Sequence, residues 1–240
     1  MQPEITVSVV SHRQNRMVNA LLADLHRFCA HRVALILTEN IPDDVPLDTV
    51  ALNCSIEKIK NASPEGFGAN HNAAFARCRT TLFCVVNPDI RLAADPFEPL
   101  LETAGQPSIG AVAPLVRSPK GHIEDSARRY PTVRSLLAKL FSSQPGPDYP
   151  TDAGPIDVDW VAGMFVVFRS DAFRAVGGFD ERYFLYYEDI DLCFRLRAAG
   201  HRVVYDPRSE IIHDAQRASR RNPRHALHHM ASVARFLASH

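Results

Sequence analysis

The chain has 240 residues, enough for one medium-sized domain with a substantial buried core. Its 27 basic and 27 acidic side chains cancel, so no whole-molecule field favours a nucleic-acid partner. Hydrophobic residues make up 46%, ordinary for a globular protein, and no window nears the roughly 20 apolar residues of a membrane helix.

Residues 5–11 are a β-rich run that ends in Ser11-His12-Arg13, and Met17, Leu21, Leu22 and Leu25 give residues 15–28 helical spacing. Residues 33–37 predict a strand leading into Thr38-Glu39-Asn40, and residues 50–54 predict the next one. Gly66-Phe67-Gly68 opens a helix over 69–78, followed by a buried strand over 81–86 that stops at Asn87-Pro88-Asp89. After a strand at 109–116, residues 142–155 hold four prolines and two glycines and read as a surface loop. Strand patterns resume at 156–160 and 164–169, then a short helix at 171–176 stops at Gly177-Gly178. A helix over 188–199 ends at Gly200, and strands follow at 201–205 and 210–213. This alternation predicts an α/β fold with a mainly parallel sheet. Ligands of such sheets bind outside the carboxyl ends of the strands. Ser11-His12, Glu39-Asn40 and Asn87 to Asp89 should therefore face one crevice.

The N-terminus lacks the basic and apolar regions of a signal peptide, and five scattered cysteines without a CxxC pair read as buried thiols. A cytoplasmic protein is the expectation.

Three features carry chemistry. Asp89 follows an almost wholly apolar strand, so its carboxylate should emerge at the sheet edge. Asn-Pro-Asp is also good turn chemistry, but a rigid corner suits a ligand for Mg²⁺ or Mn²⁺, which needs few protein carboxylates beside diphosphate oxygens. Glu188, Asp189 and Asp191 lie in the first turn of a helix, where the macrodipole favours acids in any case. The aromatic run Tyr183-Phe184-Leu185-Tyr186-Tyr187 before them would shield a carboxylate, raise its pKa toward that of a general base and offer a platform for a sugar ring. His213 at a strand end is either structural or the third vertex of a metal-and-base site. The Gly66 to Asn70 loop suits a phosphate or a plain helix entry, since it lacks the usual nucleotide-loop spacings. In the tail, Arg217, Arg220, Arg221, Arg224 and Arg235 flank an apolar stripe through Ala226, Leu227, Met230, Val233, Ala234 and Leu237. That stripe fits a packed terminal helix or one that touches anionic lipid. His225, His228 and His229 have helical metal spacing but no acidic or cysteine partner nearby, so zinc is not expected.

Five stretches together resemble the inverting family-two glycosyltransferases with a GT-A fold. They are VSVVSH, NASPEGFGANHNAAF, LFCVVNPDI, VDWVAGMFVVFRSDAFRAVGGFDERYFLYYEDIDLCFRLRAAGHRVVYDP and IIHDAQRASRRN. The similarity is greatest to bacterial rhamnosyltransferases of O-antigen and other surface polysaccharides. The resemblance implies a single GT-A (Rossmann-like) domain over 1–240. Residues 1–115 would be a nucleotide-sugar-binding half, 116–215 an acceptor-binding half and 216–240 a basic C-terminal helix. It also implies a nucleotide-sugar donor such as dTDP-L-rhamnose, a divalent cation (Mg²⁺ or Mn²⁺), and a glycan or polyprenyl-diphosphate-linked acceptor. Peripheral contact with the inner face of the plasma membrane would follow from such an acceptor.

By the same resemblance, Asn87-Pro88-Asp89 occupies the DxD position, with Asp89 and His213 as metal ligands. Glu188-Asp189 matches the ED motif, whose aspartate is the general base. Ser11, Glu39, Gly66, Phe67, Gly68, Asn70, Asn87 and Asp89 match positions around the nucleotide-sugar. Trp160, Gly163 and Tyr187 should shape the acceptor side. Two departures stand out: Asn87 replaces the first acid of DxD, and Glu39 replaces an aspartate that contacts the base. The rival readings are a sugar-nucleotide pyrophosphorylase and an inactive sugar-binding protein. The first needs a glycine-rich loop after the first strand, and Ser11 to Asn15 holds no glycine.

Overall fold

The computed structural model describes residues 2–49, 54–130, 147–214, 229, 232–233 and 235–236. Strands β1 (Ile5–His12), β2 (Val33–Ile41), β3 (Ile56–Lys60) and β4 (Leu82–Val86) run parallel, with α1 (Asn15–Cys29) and α2 (Phe67–Phe75) as crossovers. There follow β5 (Ile90–Arg91), α3 (Phe97–Ala104), β6 (Ile109–Arg117), β7 (Ala127–Arg128), β8 (Ile156–Asp157), β9 (Trp160–Val161) and β10 (Phe165–Arg169). The described elements close with α4 (Ser170–Ala175), α5 (Glu188–Ala198) and β11 (Arg202–His213). The main sheet has the order β3-β2-β1-β4-β10-β6-β11-β5, with β8 on β11, and β7 pairs with β9 in a small second sheet. β10 is antiparallel to both neighbours, whereas β6 and β11 are parallel to each other. The expected α/β class with a mainly parallel sheet is what forms.

Helices cover both faces, so central strands are apolar on both sides. Along β4, Phe83 and Val85 point into a layer with α2, α4 and α5, and Cys84 and Val86 into a layer with α1 and α3. Ile5, Val7 and Val9 of β1 join the second layer with Leu21, Leu22 and Leu25 of α1.

Several boundaries differ from the sequence reading. The strand expected to stop at 37 continues to Ile41, because β1 and β3 pair with it on both edges through Glu39. The strand expected at 50–54 is found instead at Ile56–Lys60; residues 50–53 lie outside the described residues. Its sequence, IEKIK, buries only Ile59, which is too little apolar signal to announce an edge strand. The run 156–160 splits into β8 and β9, and the runs 201–205 and 210–213 join into β11, whose register shifts between Asp206 and Glu210. Helix α3 gives no clear pattern, since Pro96 and Pro99 crowd its start; prolines are tolerated in a first turn. The described part of the 142–155 loop forms no helix or strand. All five cysteines are free, with Cys29, Cys84 and Cys193 buried and Cys54 and Cys78 partly so. No described helix is long and apolar enough to cross a membrane.

Candidate active site

A short antiparallel pairing makes the first corner of the site. Ile90 of β5 lies opposite His213 of β11, so the residue before it, Asp89, arrives beside the imidazole. The Asp214 N–H donates to the Asp89 carbonyl at 2.9 Å and continues this pairing. His213 Nε2 is 3.3 Å from Asp89 Oδ2, and its Nδ1 is 2.7 Å from Glu124 Oε2. Burial pulls the His213 pKa down, but bonds and charges from Asp89 and Glu124 outweigh it and raise it to about 9. Asp89 Oδ1 is buried without a hydrogen-bond partner among the described residues. A buried carboxylate oxygen of this kind is costly unless something else meets it. An oxygen and an imidazole nitrogen side by side fit a divalent cation. No described cluster of three or more His, Cys, Asp or Glu is arranged to hold one. A cation here would therefore rely on diphosphate oxygens and water for the rest of its shell. A cavity of about 160 Å³ opens next to Asp89, with Arg16 and Arg91 in its wall. Asp24 holds Arg91 through two bonds of 2.6 and 2.9 Å.

The second corner is the start of α5. Gly163 lies just before β10, and the bond from Asn87 N–H to the Met164 carbonyl (2.8 Å) puts it at the same sheet edge as Asp89. The Gly163 N–H donates to Asp189 Oδ2 at 3.0 Å, and the Ile190 N–H to Oδ1 at 2.9 Å. Burial raises the Asp189 pKa, opposed by those N–H donors and by Arg128. Glu188 is buried, its Oε2 has no hydrogen-bond partner among the described residues, and burial and then the Asp189 charge raise its pKa to about 8. The donors and Arg128 favour an ionised Asp189, so the proton of the pair belongs on Glu188. Asp191, the third acid of the sequence cluster, is buried and bonded by Arg195 at 2.8 and 2.6 Å, which makes it structural.

The tyrosines before Glu188 carry backbone strain. Tyr186 and Tyr187 have φ of 71° and 70°, the left-handed region that costs a non-glycine residue about 1–2 kcal/mol. Aromatic packing offsets this: the His229 ring lies 5.6 Å from both tyrosine rings, and Phe236 lies 5.6 Å from Tyr187. Ser232 Oγ donates to the Leu185 carbonyl at 3.0 Å. The described tail residues thus pack on the loop of residues 185–187, while Arg217, Arg220, Arg221 and Arg224 lie outside the described residues, as do His225 and His228. Trp160 is buried, its Nε1 donating to the Arg129 carbonyl at 3.0 Å, and Arg128 lies 5.4 Å from its ring centre.

At the carboxyl ends of β1 to β3, the parallel register aligns Ser11 with Glu39 and Glu39 with Lys60. Ser11 is buried, bonded to Asn15 and accepting from the Gln14 N–H at 3.2 Å, so its hydroxyl fixes the start of α1. Glu39 pairs with Lys60 at 3.2 Å. Both glycines of the Gly66 loop have packing reasons. A Cβ at Gly66 would lie 2.8 Å from the Phe184 carbonyl oxygen, and one at Gly68 would lie 2.7 Å from Phe179 Cβ. The Phe67 N–H donates to that Phe184 carbonyl at 3.0 Å, and the Phe67 ring approaches Gly163. Asn70 is buried and donates to the Gly66 and Glu65 carbonyls, while Asn61 joins Asn40 to Asn70 at 2.8 and 2.7 Å. Sequence reasoning missed Glu124, Arg128 and Asn61. Glu124 gives no local signal at all, since a hairpin between residues 117 and 123 brings it back along β6.

The comparisons with known proteins agree with this fold. The N-acetylglucosaminyl-diphospho-decaprenol L-rhamnosyltransferase of Mycobacterium tuberculosis is 29% identical over 264 residues, covering 99% of this chain and 85% of its own length. Rhamnosyltransferase WbbL of Escherichia coli K12 is 28% identical, covering 98% and 92%. A mannosyltransferase of Pyrobaculum calidifontis, solved with GDP-Man and Mn²⁺, superposes with a TM-score of 0.66 at 14% identity. This chain is 98% covered in that superposition and spans 65% of the mannosyltransferase. The family model described as glycosyltransferase like family 2 matches residues 3–231, which include the whole of the sheet and both corners, and the chain belongs to that family of glycosyltransferases.

Proposed function

We propose that the protein transfers L-rhamnose from dTDP-L-rhamnose, with inversion, to a hydroxyl of a polyprenyl-diphosphate-linked or other glycan acceptor in surface polysaccharide synthesis. The observation that carries the reading is the pair of half-buried carboxyl groups at one sheet edge, Asp89 beside His213 and Asp189 on the Gly163 N–H. The two rhamnosyltransferase relatives support the sugar, and the decaprenol-diphosphate compound in one name supports the acceptor.

Asp89 and His213 would hold Mg²⁺ or Mn²⁺, which when bound neutralises charge developing on the departing diphosphate. Arg16 and Arg91 add positive charge beside that group. Asp189 accepts the proton of the attacking hydroxyl, and its raised pKa makes it a better base than an exposed aspartate. Trp160, Gly163 and Tyr187 border the acceptor, and Ser11, Glu39, the Gly66 to Asn70 loop and Asn87 border the nucleotide. The basic stretch after Asp214 would favour an anionic membrane surface near such an acceptor.

Calorimetry with dTDP and Mn²⁺ tests the reading. Asp89→Ala should abolish metal-dependent binding and keep the fold; unchanged metal-dependent affinity would overturn the assignment.

A further inference from the structure

We propose that Glu124 is a positioning residue of the metal site: its carboxylate holds His213 Nδ1 and leaves Nε2 as the ring nitrogen offered to a cation. This rests on the metal reading above. Nδ1 lies 2.7 Å from Glu124 Oε2, whereas Nε2 faces Asp89 Oδ2 at 3.3 Å, beside the Oδ1 that has no hydrogen-bond partner among the described residues. The imidazole is mostly buried, with 15% of its side chain exposed, so the two carboxylates define its orientation. Imidazoles that ligate metals almost always bond a carboxylate or carbonyl through the other nitrogen, which fixes tautomer and ring angle.

Glu124 is itself fixed from the backbone. Its N–H donates to the Val116 carbonyl at 2.8 Å, and two residues on, the Ser126 carbonyl accepts from the Ala162 N–H at 2.7 Å. Ala127 and Arg128 then pair with Val161 and Trp160. One short segment thus supports His213 at one end and carries the Arg128 charge toward Asp189 at the other.

Mn²⁺ binding to the full chain, followed by electron paramagnetic resonance with and without dTDP, provides the test. Glu124→Ala should weaken Mn²⁺ about 10–100-fold. Glu124→Gln, whose amide oxygen can still accept the Nδ1 proton, should recover most of that loss. Wild-type affinity in Glu124→Ala would overturn the proposal. So would a Gln variant as weak as the Ala variant, since Glu124 would then act as a direct ligand. If the wild-type chain bound no Mn²⁺ in either condition, the metal reading itself would fall.

Discussion

The proposed nucleotide side and the proposed catalytic side of this molecule are built on different terms. On the first, parallel register aligns Ser11, Glu39 and Lys60, and the side chains of Asn40, Asn61 and Asn70 are bonded to one another and to the Glu65–Gly66 backbone. On the second, Asp89 and Glu188 each keep a buried oxygen without a partner among the described residues, and two consecutive tyrosines hold left-handed backbone. Satisfied polar groups make a rigid platform. Strained and under-satisfied ones persist only where the surroundings hold them, and they concentrate at sites of chemistry.

The contrast can be broken from either side. Asp189→Asn keeps the shape and loses the proposed base, so turnover should fall roughly a hundredfold or more at nearly constant donor affinity. Steady-state kinetics with separate donor binding would show whether both fell together, which would make Asp189 a binding group. A smaller effect is expected from Gly66→Ala, whose Cβ meets the Phe184 backbone and pushes the Phe184 to Tyr187 loop away. Overpacking of this kind costs about 1–3 kcal/mol, read by thermal denaturation, and turnover should drop further than donor affinity. Equal losses in both would mean the loop does not serve catalysis. Asn70→Ala leaves one Asn61 N–H without its acceptor, while Asn40 and the residue 70 N–H still serve the Glu65 and Gly66 carbonyls. It should cost about 1–3 kcal/mol, with donor affinity of the folded enzyme reduced more than kcat.

The smallest effect on turnover near neutrality belongs to Glu188→Gln, because the amide resembles the protonated acid. Its signature is in stability. The Glu188 pKa is raised from 4.5 to about 8 on folding, so the native state keeps a proton that the unfolded chain releases between those values. Wild-type stability therefore falls as pH rises through that window, and the variant lacks this loss. The melting temperature of Glu188→Gln relative to wild type should climb with pH; a flat difference would place the proton elsewhere.

Local pattern alone was enough for much of the fold. The alternation of apolar strands with amphipathic helices specified the parallel sheet, because central strands must be apolar on both faces. The polar ends at Ser11, Glu39 and Asn87 to Asp89 followed, since a strand's carboxyl end is set by where its apolar run stops. Glu188 and Asp189 were visible as acids at a helix start, where position alone did not separate them from Asp191, whose partner Arg195 lies one turn away, and only the ED resemblance singled them out. Edge strand β3 was illegible because it buries one side chain, and β11 was read as two strands because its register shift looks like a break. Only the tertiary structure decided which groups meet. Asp89 reaches His213 through a two-residue pairing, Glu124 reaches the same imidazole through a hairpin, and Gly163 meets Asp189 across the sheet edge. Those contacts join residues distant in sequence, and no local periodicity encodes the long-range register that brings them together.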